Sequence, residues 1–303
     1  MGKKRIVYSD TLNHCYQRAA DKVVLFYSVS DFLSFFTMFC VQAARRKVCI
    51  LTLCLMYDHF HTSVKAKSQG ALSSLMNQTT SIYSRQNNNL CHRKGQLFQY
   101  HFGSAPKKTE KAIRTNIVYV GNNPVERKIT KKAEEYRWNF LAYAKSDHPF
   151  SEPLVIRRAS WPMKNAVSEV KAFHGRGQHL TYQTLQRLFA PLSHAEKEQL
   201  TDFIISTYNV IDYDAATRYF GSYENMLEAM HVTTGSEYDI KEHFTGWTDE
   251  CYPALVKLVL RKTGLTDIHD MFSLSESRRR ALMEYLKGRT DATDKQLEKF
   301  LRI

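Results

Sequence analysis

The pattern of apolar and polar positions divides this chain into a mixed front half and a helical back half. Residues 22–29 (Lys-Val-Val-Leu-Phe-Tyr-Ser-Val) are rich in β-branched and aromatic side chains and predict a strand. Asp31 then offers a start for a Phe-rich helix ending near Arg46. Residues 48–56 form a nearly continuous apolar run, and after Tyr57-Asp58 residues 59–64 alternate, which predicts two strands joined tightly. Leu72, Leu75, Met76, Ile82 and Tyr83 recur at helical spacing. The polar run Gln86-Asn87-Asn88-Asn89 reads as a loop, and residues 97–102 read as a further strand. From Lys107 to about Asn123 nothing breaks a helix before Gly121, and Pro124 predicts its end by restricting the residue before it.

Ser146-Asp147-His148-Pro149, Pro153 and Trp161-Pro162 mark a connecting segment. Beyond it, sets such as Leu185, Leu188 and Phe189, or Leu255, Leu258 and Val259, keep three- and four-residue spacings. Arg278-Arg279-Arg280 opens one amphipathic stretch, and Thr290-Asp291-Ala292-Thr293-Asp294 supplies caps for a last short helix through Phe300. The expectation is an α+β fold, an antiparallel sheet with packed helices over residues 1–145, followed by a linker and a mainly α-helical region over 146–303.

Charge sharpens that division. Residues 1–145 carry 23 basic and 8 acidic side chains, net +15, whereas residues 146–303 carry 20 and 22, net −2. The front half therefore suits a polyanion, because neutralised phosphates release their counterions. Charge alone equally fits an anionic membrane or plain solubility. Six cysteines at irregular spacing, with no C-x-x-C, read as reduced and mostly buried. The most apolar stretch, residues 23–41, is interrupted by Ser28, Ser30, Asp31 and Ser34, which argues against a membrane span. No small-residue cleavage site follows it promptly, so a cytoplasmic location is expected.

The sharpest candidate chemistry is His59-Phe60-His61. Alternate side chains of a strand share a face, so the two imidazoles converge and can bind a divalent ion. Taken alone, such a triplet is more often an exposed or hydrogen-bonded pair. Tyr119 and Asn123, four residues apart, share one helical face. The Asn123 amide oxygen can complete a hard-metal coordination sphere, and the Tyr119 hydroxyl can attack a phosphorus held there. Without the histidine pair, the same residues read as a core tyrosine and a helix-ending asparagine.

Met56-Tyr57-Asp58-His59-Phe60-His61, taken with Tyr119-Val120-Gly121-Asn122-Asn123-Pro124-Val125-Glu126 and Tyr136-Arg137-Trp138, resembles the REP-associated branch of the single-tyrosine HUH transposases over about residues 10–145. The resemblance implies a ferredoxin-like HUH sheet, a divalent ion (Mg or Mn) on His59, His61 and Asn123, and Tyr119 as nucleophile. It implies DNA transposition through a 5′-phosphotyrosine, single-stranded or hairpin DNA as partner, and a possible homodimer. Two departures stand out: Asp58 where an Asn is common, and Gly121 where a His is frequent. The glycine is expected to loosen the helix near Tyr119.

Arg45, Arg46, Lys47, Lys65, Lys67, Arg85, Arg93 and Lys94 are candidate phosphate contacts if they share a face. Lys107, Lys108, Lys111 and Arg114 read as preceding Tyr119 on its helix, where they line a DNA backbone or simply form a solvated face. His174, His179 and His243 read as structural or surface residues. Two rival functions remain open. One is a replication-initiator or relaxase-like nickase with the same chemistry; the other is a hairpin DNA-binding protein that keeps the fold without turnover.

Overall fold

A computed structural model describes residues 11–99, 101–232 and 248–303. Four strands, β1 (Leu12–Arg18), β2 (Cys49–Leu55), β3 (His59–Lys65) and β4 (Gly103–Lys107), pair antiparallel in the order β2-β3-β1-β4. Helices pack on both faces of this sheet, and the fold is the expected α+β arrangement with a mainly helical second half.

The predicted strand at 22–29 is not one. Residues 23–28 follow an irregular path in which the Leu25 and Phe26 amides both donate to the Tyr57 carbonyl, at 2.7 and 3.2 Å. Val23 to Tyr27 are apolar because all five are buried, not because they pair in a ladder. The first strand is β1, which carries buried Asn13, His14 and Gln17 among its apolar positions and so shows no hydrophobic alternation. Helix α1 (Val29–Arg46) is capped by Ser28; Asp31 is the reciprocal partner of a capping box rather than the cap itself.

Helix α2 (Gln69–Leu90) runs straight through Gln86–Asn89, contrary to the loop read there. The polar run faces partners: Ser34 donates to Gln86, and buried Asn87 accepts from the Cys91 thiol. Among the described residues of 97–102, Phe98 bridges to Ala19, the Leu97 carbonyl accepts from the Ala20 amide and the Gln99 amide donates to the Arg18 carbonyl, and the strand starts at Gly103. Gly103 sits under the Tyr16 ring, which would lie 2.2 Å from any Cβ there. Lys107 therefore ends β4, and only Lys111 and Arg114 of the four predicted basic residues lie on helix α3 (Glu110–Glu126).

α3 continues past Pro124 by two residues. Pro124 lacks the amide that would bond the Val120 carbonyl and its ring crowds that carbonyl, yet the helix carries through it to Glu126. Gly121 does not loosen it either. A Cβ on Gly121 would come within 2.6 Å of Met230 Cε, and the Gly121 carbonyl accepts from Asn139 at 2.8 Å. The glycine admits a close neighbour from the second half.

Register fixes the two sheet faces. Tyr16 pairs with His61, Arg18 with His59 and His14 with Ser63, so all six point one way, toward α3. Ser63 donates to Asn116 of α3 at 2.8 Å. On the opposite face Phe60 meets Phe35 at 4.9 Å and Phe39 at 6.1 Å between ring centroids, under α1.

The second half consists of α4 (Trp161–Gly175), α5 (Tyr182–Phe189), α6 (His194–Tyr208), α7 (Tyr213–Thr217), α8 (Tyr223–Val232), α9 (Cys251–Thr263), α10 (Glu276–Lys287) and α11 (Asp294–Leu301). α5 and α6 pack on α1, and Ile211 adds a parallel bridge to Ile50 of β2. α11 docks on the 23–28 segment: Tyr27 donates to the Phe300 carbonyl at 2.9 Å and Arg302 to that of Val24 at 3.1 Å. One apolar core runs through both halves.

Beside this junction lies buried His269, 3.2 Å from an Asp31 oxygen and 3.0 Å from one of Asp267. Burial favours the neutral ring, but the two carboxylates outweigh it and push His269 up to about 9. His174 packs edge-on against Tyr208, His179 contacts Gln86, and His243 lies outside the described residues. All six cysteines are free thiols. Among the described residues no helix is long and apolar enough to cross a membrane.

Candidate active site

The β2–β3 turn delivers the first histidine. Met56 donates its amide to the His59 carbonyl at 2.8 Å, closing the hairpin around Tyr57-Asp58. His59 and His61 then share the α3-facing side of β3, both fully buried, with ring centroids 5.0 Å apart and planes at 87°. The convergence read from alternation is present.

Each imidazole has its Nδ1 engaged. His59 Nδ1 lies 2.5 Å from an Asp58 oxygen, and His61 Nδ1 lies 2.9 Å from His14 Nε2. With Asp58 accepting, Nδ1 is the donor nitrogen of His59, and Nε2 is the nitrogen left for a ligand. His59 Nε2 is buried and has no hydrogen-bond partner among the described residues. Asp58 is in turn held by Lys299 of α11, whose ammonium lies 2.5 Å from its second oxygen. Burial alone would raise the Asp58 carboxyl, but Lys299 and His59 hold it well below the usual carboxylate range. Neighbouring Asp249 shifts the other way, pushed up by burial and by the charge of Asp58.

Tyr119 reaches the same spot from α3. Its ring stands edge-on to His61 and to His14, each 5.5 Å away between centroids. Only 3% of Tyr119 is exposed. Asn123, one turn on and also buried, donates its amide nitrogen to the Tyr119 carbonyl at 3.0 Å, which leaves the amide oxygen as its metal-type donor atom. Among the described residues no group of three or more His, Cys, Asp or Glu side chains is placed to hold a metal ion. The set read from the sequence has a different make-up, two imidazoles and an amide oxygen. The buried Nε2 of His59, on a ring braced from behind by a carboxylate, fits that role.

His14 and Lys299 were not legible. His14 stands in a strand that shows no periodicity, and Lys299 is 241 residues from the carboxylate it holds. The third motif is structural: Tyr136 donates to the Leu55 carbonyl, Arg137 pairs with Glu198 and Asp202, and Trp138 stacks on Phe32 at 4.4 Å.

The candidate phosphate contacts lie on several elements, with Lys65 and Lys107 on either side of Leu12 in the sheet register. Arg45 and Arg46, at the end of α1, donate to the Gly177 carbonyl and to Ser74, and Lys47 is the left-handed cap of that helix. Arg85 lies on α2, Arg93 pairs with Asp21, and Lys94 is exposed after α2. Lys65 donates to the Tyr219 hydroxyl, and Lys67 is exposed just beyond β3. Lys107 is buried on β4, whereas Lys108, Lys111 and Arg114 are exposed.

Fold and site together define a tyrosine–histidine centre on an antiparallel sheet. The family model described as "Transposase IS200 like" matches residues 23–123, the stretch from the segment before α1 to Asn123. The resemblance carried by the motifs is borne out over that stretch. Among solved structures, one titled "Structure of the REP associates tyrosine transposase bound to a REP hairpin" is similar at 13% identity and a TM-score of 0.39, covering 47% of this chain and 84% of that one. No curated protein matches.

Proposed function

We propose that this protein cuts and rejoins single-stranded DNA, at hairpins or palindromic repeats, through a covalent link to Tyr119, as in DNA transposition. The observation that carries the reading is the Tyr119 phenol ring packed 5.5 Å from His61, on the sheet face where His59 presents a buried, unpartnered Nε2. The family match over residues 23–123 supports transposition in the broad sense.

In this reading His59, His61 and the Asn123 amide oxygen hold a divalent ion, Mg or Mn. When bound, the ion polarises a phosphodiester oxygen and orients the scissile phosphate. Tyr119 loses its phenolic proton and attacks phosphorus; the bond to the 3′ oxygen breaks, that oxygen gains a proton, and the 5′ phosphate stays on the tyrosine. A free 3′-hydroxyl reverses the step and joins a strand without external energy. Asp58 and His14 act from behind by fixing the ring orientation and tautomer of His59 and His61. Because Tyr119 is buried, the surface above it must open to admit a strand. Residues 1–145 would perform the chemistry, and residues 146–303 would brace the site and position DNA.

The test is a covalent adduct on a denaturing gel after incubation with labelled single-stranded hairpins and Mg or Mn. The adduct should need metal and vanish in Tyr119→Phe and in His59→Ala. A hairpin that is bound but never linked would favour a DNA-binding protein without turnover. An adduct surviving Tyr119→Phe would move the nucleophile, with Tyr16, whose ring is 5.8 Å from His61, next in line. Nicking without transfer between two ends would favour the initiator or relaxase reading.

A further inference from the structure

Among the described residues six large apolar side chains stand exposed, and three of them fall between residues 155 and 161: Val155 at 49%, Ile156 at 42% and Trp161 at 75%. Scattered exposure is ordinary, but a contiguous apolar patch marks a contact surface. Arg157, Arg158 and Lys164 interleave with these side chains, all exposed and none in an ion pair among the described residues. No acidic residue occurs from 154 to 164. The segment presents cations and an open aromatic face together.

The patch is held in shape. Residues 156–158 form a 3-10 turn, Ser160 caps α4 by accepting from the Met163 amide at 3.2 Å, and the Ser160 amide donates to Glu196 at 3.3 Å. Ile156 also lines a cavity of about 420 Å³ between the 147–156 segment, α4 and α6. Phe203 stands in its wall with Lys171 5.8 Å from the ring centroid; His148, Gln199 and Ser206 add hydrogen-bonding groups, and the acidic residue Asp147 also lines it. An aromatic wall rimmed by donors and acceptors is the environment that holds an unstacked base.

We propose that the 155–164 segment and the adjoining cavity bind an unpaired stretch of DNA outside the tyrosine site. Arg157, Arg158 and Lys164 meet phosphates, and Trp161 stacks a base. The identity of the polyanion rests on the function proposed above. A single strand is favoured over a duplex because an indole needs a free base face, which a duplex hides within its stack. It is favoured over a protein partner because Arg157, Arg158 and Lys164 carry no ion pair among the described residues and residues 154–164 hold no acid, which matches a phosphate backbone; Lys164 gives one donor to the Arg157 carbonyl at 3.4 Å.

The experiment measures binding by fluorescence anisotropy in the full chain carrying Tyr119→Phe, so that no cleavage intervenes. The probes are a hairpin with a long unpaired arm, the same hairpin without it, and a duplex of the arm sequence. Trp161→Ala should weaken the armed hairpin roughly tenfold, in line with the loss of one base stack, and leave the armless one unchanged. Trp161→Phe should restore most of the affinity, and the pair Arg157→Ala with Arg158→Ala should flatten the salt dependence. Unchanged thermal melts would show that the fold is intact. Unaltered affinity in Trp161→Ala would overturn the proposal and assign the patch to a protein partner; an equal loss on the duplex would also overturn it. Adduct formation on the armless hairpin, with Tyr119 intact, reports the catalytic reading separately, so either can fail while the other stands.

Discussion

On one face of the sheet β3 presents Phe60 to Phe35 and Phe39; on the other, from the positions before and after it, β3 presents His59 and His61 to Asp58, His14 and Tyr119. The burial is equal, and the physics is not. Phe60 gains from every ångström of apolar surface removed from water, whereas a buried imidazole must recover its lost hydration through a partner. The apolar face gains stability from burial itself, and the polar face depends on the partners, Asp58 and His14, that meet its buried rings.

The largest expected effect separates the two faces directly. Phe60→Ala should cost about 3–5 kcal/mol in urea unfolding, because it empties a site ringed by other phenylalanines that cannot collapse into it. His61→Asn should cost about 1 kcal/mol, the value of one buried hydrogen bond, and should abolish adduct formation. If His61→Asn unfolded the protein as readily as Phe60→Ala, the polar face would be part of the core and the contrast would fail.

The next effect comes from a buried histidine that serves packing alone. His269 is raised from its ordinary 6.5 to about 9 by Asp31 and Asp267, against the pull of burial. A group whose folded value is raised stabilises the fold fully below its unfolded value, and this contribution is lost as pH climbs through the folded one. Unfolding free energy should therefore fall by up to about 3 kcal/mol between roughly pH 6.5 and pH 9. His269→Gln should flatten that slope in denaturant titrations across this range. A slope that persists in the variant would place its source elsewhere.

These residues also show where sequence reading succeeds. His59, His61, Tyr119 and Asn123 were legible because their relations are local, two residues along a strand and four along a helix. β1 was not, since a strand carrying buried His14, Asn13 and Gln17 has no alternation to detect. The 22–29 segment misled for the opposite reason: full burial produces an apolar run whatever the backbone does. Gln86 to Asn89 looked like a loop by composition, yet tertiary partners for Gln86 and Asn87 keep α2 intact.

Lys299 is the most distant contributor to the histidine-bearing face, and its effect sharpens the comparison most finely. It is placed by α11, whose Leu297, Phe300 and Leu301 are buried in the common core, so apolar packing in the second half sets a charge beside Asp58. Lys299→Met keeps the stem and removes the ammonium. Asp58 then loses one of the two partners that keep it charged and aimed at His59. Mn affinity measured by calorimetry should fall about 10- to 100-fold, the usual cost of losing an outer-shell partner, and Lys299→Arg should recover most of it. Nitrogen NMR of the His59 ring should show the Nδ1 proton less firmly held in the Met variant. An unchanged affinity and tautomer would mean that the strand backbone alone orients His59, and that the helical half contributes nothing to the proposed metal site.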